Sequence, residues 1–454
     1  MEDIITALAT AWGEGGIAIV RLSGKGSLSL ADSVFSSRMK LSQYPPRHMA
    51  LGKVLTSDGE IFDEVLAVRF EENKSYTGEE SVEIHCHGGS LAAQRCIEEL
   101  CARGARTAHP GEFTRRAFTN GRMDLAQAES VLGIIRAKSD EALTAANRTL
   151  QGKFSAEIKD FLGKLTELAA KLEVNLDFPE EDEGFITRTA ASETIEELIS
   201  CGNELQKKCK TGMALREGIK TAIIGKPNVG KSSLLNALLC EERAIVTSVP
   251  GTTRDNIEET VIHMGVPIRF IDTAGIRATD DIVESAGVTR SRAFMKEADL
   301  CLLVLDSSEP ISEEETALLN DIKLKKHLVI MNKNDLPFYN NIKILNHISD
   351  KSGIVYLSSK YSCGIEELKD RIVKEFTSVG ELNGGYAVTA RQMNGVQAAA
   401  IALSAAKKSL DKSEGDDVTI SCIADARASL ASVLGIDPTE DLIERIFGDF
   451  CVGK

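Results

Sequence analysis

Three kinds of fold are expected within this one chain: a β-rich α+β region, a helical region in two pieces, and an α/β region set between those pieces. Three observations carry that expectation. The hydrophobic period changes from two to about 3.6 near Met123. A glycine-rich loop, Gly225-Lys226-Pro227-Asn228-Val229-Gly230-Lys231-Ser232, stands between an apolar run and a helix-like run. Helical spacing then resumes near Ala390.

From Met1 to about Asn120 the pattern is β-rich. Ile17–Leu22 is a continuous apolar strand after Gly15-Gly16, and Asp58-Gly59 lies between Met49–Leu55 and Val65–Phe70 as a strong hairpin signal. Ser81–His85 alternates, and Leu91–Cys101 reads as an amphipathic helix. From Met123 to about Met213 the apolar residues Leu125, Ala128, Val131, Leu132 and Ile135 recur at helical spacing. Ile158, Phe161, Leu162, Leu165, Leu168 and Leu172 repeat it. The acidic run Asp177–Glu183 is most simply a solvated loop before another helix at about Ala191–Lys208. Later helices are expected at about Ala390–Asp411 and Asp417–Leu434. Gly435 ends the latter, and Asp437-Pro438 has the form of a cap and first position for Leu442–Phe447. With helices on both sides, the simplest architecture is a helical bundle with the α/β domain inserted at its surface.

The inserted region carries phosphate and base chemistry in order. Backbone N–H groups from Gly225 through Asn228, Val229 and Gly230 to Lys231 can wrap a triphosphate at a helix N-terminus, with Ser233 in the same turn. Lys231 would reach the β- and γ-phosphates, and the Ser232 hydroxyl would ligate Mg²⁺. Asp272-Thr273-Ala274-Gly275 ends the apolar strand Pro267–Ile271, which suits an Asp holding Mg²⁺ through water and a Gly N–H at the γ-phosphate. Asn332-Lys333-Asn334-Asp335 follows His327–Met331, and Asp335 can accept from guanine N1–H and N2–H₂. Adenine offers neither, so such a site can reject it by roughly 10⁴-fold or more. Ser358-Ser359-Lys360 follows Ile354–Leu357 and would bring a backbone N–H to guanine O6. Four motifs at the carboxyl ends of four strands is where an open α/β sheet places its ligand. The region reads as a guanine-nucleotide domain.

Composition narrows the class. At 454 residues, with 43% hydrophobic and 27% charged side chains, the chain has room for about three globular domains. The longest apolar stretch, Leu300–Leu305, is too short to cross a bilayer. Met1-Glu2-Asp3 is acidic where a signal peptide needs positive charge, and ten cysteines without a C-x-x-C pair suit reduced thiols, so a cytoplasmic protein is expected. A net charge of −15 opposes broad nucleic-acid binding but leaves room for a local basic patch. His85-Cys86-His87 has no second pair of ligands and reads as structural.

The ensemble resembles one family, the tRNA modification GTPases MnmE (TrmE), from end to end. The matching residues are Gly15-Gly16-Ile17-Ala18-Ile19-Val20-Arg21-Leu22-Ser23-Gly24, Tyr76-Thr77-Gly78-Glu79-Glu80, His87-Gly88-Gly89 and Pro110-Gly111-Glu112-Phe113-Thr114. Asp124-Leu125-Ala126-Gln127-Ala128-Glu129 and the tail Phe450-Cys451-Val452-Gly453-Lys454 complete the set. The resemblance implies an α+β, folate-binding-like N-terminal domain over residues 1–120, which also dimerises. It implies a discontinuous helical domain over 121–215 and 380–454, interrupted by a Ras-like P-loop GTPase domain over 216–379. It further implies an enzyme that, with the flavoprotein MnmG (GidA), adds an aminomethyl or carboxymethylaminomethyl group to C5 of the wobble uridine of certain tRNAs. The carbon would come from a 5-formyl or methylene tetrahydrofolate. The family's folate contacts fall on Arg21, Glu83, Arg122 and Lys454; Arg122 departs from an expected Lys, replacing a point charge by a planar fork.

For the nucleotide chemistry, Ile276 stands where Ras-like enzymes use a water-orienting Gln, and it can neither accept nor donate. The family's substitute is K⁺ with a glutamate, matched here by Glu284; Asp280 and Asp281 are indistinguishable from it by residue type alone. The Asn228 carbonyl can coordinate a monovalent cation, although an Asn in a glycine loop also stabilises turns. Thr247-Ser248-Val249-Pro250-Gly251-Thr252-Thr253-Arg254-Asp255 can fold over it, with carbonyls of Thr247, Val249 and Thr252 completing the shell and Thr253 ligating Mg²⁺. Such a cation would stand in for an arginine finger, an effect worth roughly 10³–10⁵ in rate. Cys451 is either a reactive tail thiol near the modification centre or incidental. Two other readings are an RNA or ribosome-assembly switch of the Era or Der type and a self-contained one-carbon transferase. The former lacks this front domain and tail, and the latter would need a flavin fingerprint that the chain does not carry.

Overall fold

The fold is described from a computed structural model covering residues 3–177, 186–240, 259–271, 295, 297–339, 353–377, 384–412 and 415–454. The chain divides into two compact units. One comprises Met1–Leu132, Ser155–Glu167 and Arg427–Lys454, and the other Gly133–Phe154 and Leu168–Ala426.

The first unit is built on a seven-stranded sheet. Its strands are β1 (Ile5–Leu8), β2 (Ile17–Ser23), β3 (Phe35–Ser36), β4 (Ala50–Leu55), β5 (Ile61–Phe70), β6 (Ser81–His87) and β7 (Arg106–Thr107), in the order β3-β4-β5-β6-β2-β1-β7. All pairings are antiparallel except β1 with β7. Period-two alternation turns Ala18, Val20 and Leu22 of β2 into a core that includes Leu30, Val34, Ala93, Cys96 and Leu100. The opposite face therefore receives Arg21, which the register sets directly across from Glu83 of β6. The expected hairpin forms, with Gly59 in the left-handed region at φ 83. Its second strand begins at Ile61 rather than Val65, because Lys53 and Val54 pair with Glu64 and Asp63 in regular register and a shift after Val54 then sets Leu55 against Ile61.

Beneath the second face lies a buried ion network. Arg116, on helix Glu112–Thr119 and 1% exposed in its side chain, pairs with Asp3 Oδ1 at 2.8 Å, Glu112 Oε1 at 3.0 Å and Glu79 Oε2 at 3.1 Å. Arg106 adds a forked pair to Glu112 at 2.6 and 2.8 Å. Burial by itself would raise the Glu112 carboxyl. Bonds from Arg106, the His109 N–H and Arg116 overcome it and bring the group down to about 2.

The C-terminal residues close onto this unit. Helix Glu440–Gly448 places Phe447 against Phe118 and Phe450, and Arg115 pairs with Glu440. Thr439, not Asp437, is the N-cap of that helix. Asp437 precedes a proline, which disfavours the right-handed region, and it sits at φ 53 instead. Gly453 takes φ 96, and any Cβ there would strike the carbonyl of Leu8, so the tail rests directly on β1 backbone.

The second unit holds a six-stranded sheet of order β13-β12-β11-β8-β10-β9. Its strands are β8 (Ile219–Ile224), β9 (Glu259–His263), β10 (Val266–Ile271), β11 (Leu300–Asp306), β12 (His327–Asn332) and β13 (Ile354–Tyr356). Only β9 runs antiparallel to its neighbour. All seven positions of β11 are buried, as expected of a strand covered on both faces. Helix Arg188–Glu217 is longer than its periodicity suggested and ends at Gly218, one residue before β8. Helix Ala390–Lys412 lies along it. Arg188 donates to the Leu410 carbonyl, Lys407 meets Glu196 at 3.0 Å, and Gly212 has the Tyr386 backbone where a side chain would stand. Helical segments before and after the α/β sheet thus pack together. The architecture is a helical bundle interrupted by an inserted α/β domain.

The β9–β10 turn is seated on helix Asp140–Leu150. Ser139, its N-cap, accepts from Ala142 N at 3.2 Å and donates through Oγ to the Gly265 carbonyl at 2.6 Å. Gly265 is left-handed at φ 78, with the Glu141 carboxylate packed where a Cβ would project. Ala142, Ala145 and Ala146 share a core with Val261, Val266 and Ile268.

Two outcomes are expected. Gly265→Ala should cost about 1–3 kcal/mol of stability, and adding Glu141→Ala should restore only part of it, since the backbone strain stays; urea melts that match wild type would contradict this seating. Because the Glu112 carboxyl is depressed in the fold, its contribution is complete above about pH 4.5 and should fade as pH falls toward about 2. Glu112→Gln should therefore flatten the acid limb of the stability profile, and an unchanged limb would exclude the network as its source.

Candidate functional site

The phosphate loop is shaped by backbone rather than by side chains. β8 stops at Ile224, and the next helix, Lys231–Cys240, begins after a turn that needs left-handed residues: Gly225 at φ 149, Asn228 at φ 63 and Gly230 at φ 97. Asn tolerates that region better than other side-chain-bearing residues, so Asn228 serves the turn whatever else it does. At Gly225 a Cβ would run into the Val304 carbonyl, and at Gly230 into the Asn332 side chain. Val229 is buried and pins the loop to the core. Lys231 curls back so that its ammonium donates to the carbonyls of Gly225 at 2.8 Å and Lys226 at 2.7 Å. Burial lowers its pKa. Ser232 and Ser233 are exposed in the first turn of the helix.

Asn332 joins the loops. It is fully buried at the end of β12; its Nδ2 donates to the Val229 carbonyl at 2.8 Å, and its Oδ1 accepts from Ser359 N at 3.0 Å. One amide therefore ties the phosphate loop to the segments that follow β12 and β13. Asn334 N donates to the Leu357 carbonyl at 3.1 Å, and Ser358 Oγ donates to Asp335 Oδ1 at 2.5 Å, turning an exposed carboxylate. Ser358 and Cys363 exchange backbone bonds of 3.0 and 3.1 Å, closing the turn that carries Ser359 and Lys360; the Lys360 ammonium lies 5.1 Å from the Tyr361 ring centre. The expected residues Asn228, Val229, Gly230, Lys231, Ser232, Ser233, Asn332–Asp335 and Ser358–Lys360 come together at the carboxyl ends of β8, β12 and β13. Thr247–Thr253, Asp272–Gly275, Ile276 and Glu284 lie outside the described residues.

One participant was missed by sequence reasoning: the segment after β11. Lys226 of the phosphate loop pairs with Glu309 at 3.0 Å and Glu315 at 3.5 Å, and Lys333 of the base loop pairs with Asp306 at 2.6 Å. The signal was present as an Asp ending an apolar strand, the same pattern that marked Asp272.

A second cluster sits on the open face of the first unit. Arg21 donates through Nε to Glu83 Oε1 at 3.0 Å, with Nη2 2.9 Å from the same oxygen. Its guanidinium lies over the rings of Tyr76 and Phe113, at 5.3 and 5.6 Å. A cavity of about 160 Å³ is lined by Arg21, Phe70, Lys74, Tyr76, Thr77 and Glu83, among others. Burial raises the Tyr76 phenol, whose hydroxyl is 2.9 Å from Thr114 Oγ1. Lys454 joins from the C-terminus: burial first, then the nearby Arg21, lowers its ammonium pKa, against Cys451 and Glu83. Arg122 is exposed at the edge, donating to the Asn73 carbonyl at 3.2 Å with its stem against Gly78. Thus Arg21, Glu83 and Lys454 share one electrostatic neighbourhood, and Arg122 borders it on the 73–78 loop. Cys451 is exposed on the tail; its carbonyl accepts from Lys454 N at 3.3 Å. His87 is anchored to Asp63 through its N–H (2.9 Å) and ring Nδ1 (2.5 Å), while Cys86 is buried.

Removing the Asn332 amide would leave Val229 O and Ser359 N–H without partners, at about 1–3 kcal/mol. Asn332→Ala should therefore weaken GTP and GDP binding alike by roughly 10-fold to 100-fold in a fluorescent-nucleotide titration. Affinities equal to wild type would mean the three loops hold their places without it.

The profile of the "GTP-binding protein TrmE N-terminus" matches residues 4–122, and that of the "MnmE helical domain" matches residues 125–451. The chain is similar to the tRNA modification GTPase MnmE of Clostridioides difficile (strain 630), at 42% identity over 460 residues. It is equally similar to that of Aquifex aeolicus (strain VF5), at 42% over 455 residues. Both alignments cover 100% of each chain. Among solved structures, a variant of Aquifex aeolicus Era bound to GDP·AlF₄⁻ is 28% identical, covering 40% of this chain and 66% of that one at a TM-score of 0.27. With both family profiles and full-length relatives agreeing, the chain belongs to the MnmE (TrmE) family.

Proposed function

We propose that this protein is a potassium-stimulated GTPase of tRNA modification. In this reading it works with the flavoprotein MnmG to add an aminomethyl or carboxymethylaminomethyl group to C5 of the wobble uridine, using a tetrahydrofolate-borne carbon. One observation carries the GTPase half: the buried Asn332 amide joins the phosphate loop to the two guanine-reading segments. Family membership carries the tRNA half. Among the described residues no helix is long and apolar enough to cross a membrane, and action on tRNA suits the cytoplasm.

In the nucleotide domain, assigned here to residues 216–379, Lys231 exchanges its two loop carbonyls for phosphate oxygens, a swap its partly buried ammonium favours. Ser232, with Thr253, would hold Mg²⁺. Asn228 fits a cation site because its left-handed backbone leaves an exposed side chain at the mouth of the loop. Thr247, Val249 and Thr252 would supply the remaining oxygens for K⁺, which would add positive charge beside the phosphates. Glu284 would orient the attacking water where Ile276 cannot.

The residues of the second cluster suit a tetrahydrofolate derivative, 5-formyl or methylene. Glu83 offers an acceptor for pterin N–H groups, Tyr76 and Phe70 offer flat apolar surface, and Arg21, Arg122 and Lys454 offer charge for carbonyl and carboxylate oxygens. Bound there, the folate would supply the one-carbon unit. Residues 1–120 form this domain and pair it with a second copy. Residues 121–215 and 380–454 form the helical domain, whose tail brings Cys451 close to the folate residues.

Steady-state GTP hydrolysis in potassium against sodium tests the catalytic half. Asn228→Ala confounds lost cation binding with backbone strain, so Asn228→Gly, which keeps the left-handed turn, is the informative variant. Potassium stimulation should be lost in Asn228→Gly and hydrolysis reduced by roughly 10²-fold or more in Glu284→Gln. Equal wild-type rates in the two salts would leave a GTPase without a catalytic cation.

A further inference from the structure

The end of β11 and the segment that follows it reach both sides of the nucleotide site, and the last residue of the strand is held from several directions. Asp306 ends β11 with its side chain 4% exposed. Oδ1 accepts from Ser308 N at 2.9 Å and Ser308 Oγ at 2.6 Å, while Oδ2 pairs with the Lys333 ammonium at 2.6 Å. Burial alone would raise this carboxyl, but Lys333 and Ser308 hold it below its usual range, so it stays ionised. The backbone is joined here as well, since Ser307 N donates to the Asn332 carbonyl at 2.9 Å.

Lys333 itself is left-handed at φ 61, between the buried Asn332 and the guanine-reading Asp335. A lysine side chain loses much rotamer freedom when a ligand immobilises it. Here a buried carboxylate already holds the ammonium, 2.6 Å away. Preorganisation of this kind raises affinity without adding a contact to the ligand.

We propose that Asp306 is a positioning residue for guanine-nucleotide binding, acting through Lys333: it holds the lysine in its binding pose beside the base without touching the nucleotide. The inference rests on the guanine-nucleotide reading of the site. Asp306→Asn keeps the shape and an acceptor for Ser308 but turns a donor or a neutral oxygen toward the ammonium, so Lys333 is released.

The test is a double-mutant cycle on nucleotide affinity. Fluorescent GDP and a non-hydrolysable GTP analogue are titrated into full-length wild type, Asp306→Asn, Lys333→Met and the double variant, with melting temperatures taken on the same nucleotide-free samples. Asp306→Asn should weaken both nucleotides about tenfold, and the double variant should bind no more weakly than Lys333→Met. A purely structural role predicts the opposite, losses that add. Should Asp306→Asn fail to fold, Ser308→Ala removes one bond to the same carboxylate; it should cost about threefold in wild type and nothing in Lys333→Met. Additive losses, or no loss in the folded Asp306 variant, would overturn the role of Asp306. Failure of wild type to bind guanine nucleotide would instead overturn the reading beneath it.

Discussion

The side-chain amide of Asn332 is the joint on which the nucleotide site depends. A carboxamide presents a donor and an acceptor on one planar group at fixed separation, and this one is buried away from water. It joins Val229 of the phosphate loop to Ser359 of the segment after β13. Parallel pairing of β8, β11, β12 and β13 brings their following loops to one edge, and the amide ties together the three after β8, β12 and β13. Asp306, Glu309 and Glu315 reinforce the same joint from outside through Lys333 and Lys226.

The first unit solves a different problem, how to keep charged groups on a folded scaffold without leaving them unpaired. Arg116 is among the largest fully buried side chains and is tolerated because Asp3, Glu79 and Glu112 surround it. Glu79 belongs to the Tyr76–Glu80 loop beside the cavity, so the network also sets the position of that loop. Arg21 is paired in a similar way but left at the surface, over two aromatic rings, where a ligand can share it. Lys454 lies close enough to feel both charges of this Arg21–Glu83 pair.

Much of this was legible in the chain. The phosphate loop, Asn332–Asp335 and Ser358–Lys360 announced themselves because their chemistry is local: a turn needs glycines, and each motif ends an apolar run. Strand and helix identities followed from periodicity. Strand bounds followed less well, as at Ile61, where the polar Asp63 and Glu64 pair with β4 beyond the apolar run, and so did the cap at Thr439, where a proline displaces its predecessor. Asp306 was legible only in hindsight, since its partner Lys333 lies on the loop after the neighbouring strand, far along the chain.

Read along the chain, residue identity shows which positions can cradle phosphate or discriminate guanine, and that helices flank an α/β insertion. Those properties depend on residue type and short spacing, which a linear chain displays in full. Tertiary structure alone decided which of these residues meet. Arg21 faces Glu83 through strand register, Lys454 reaches them because a left-handed Gly453 seats the tail on β1, and Gly265 rests on Ser139 through a turn with no room for a side chain. Contacts between residues distant in sequence are set by pairing and packing of whole elements, and no local pattern encodes them.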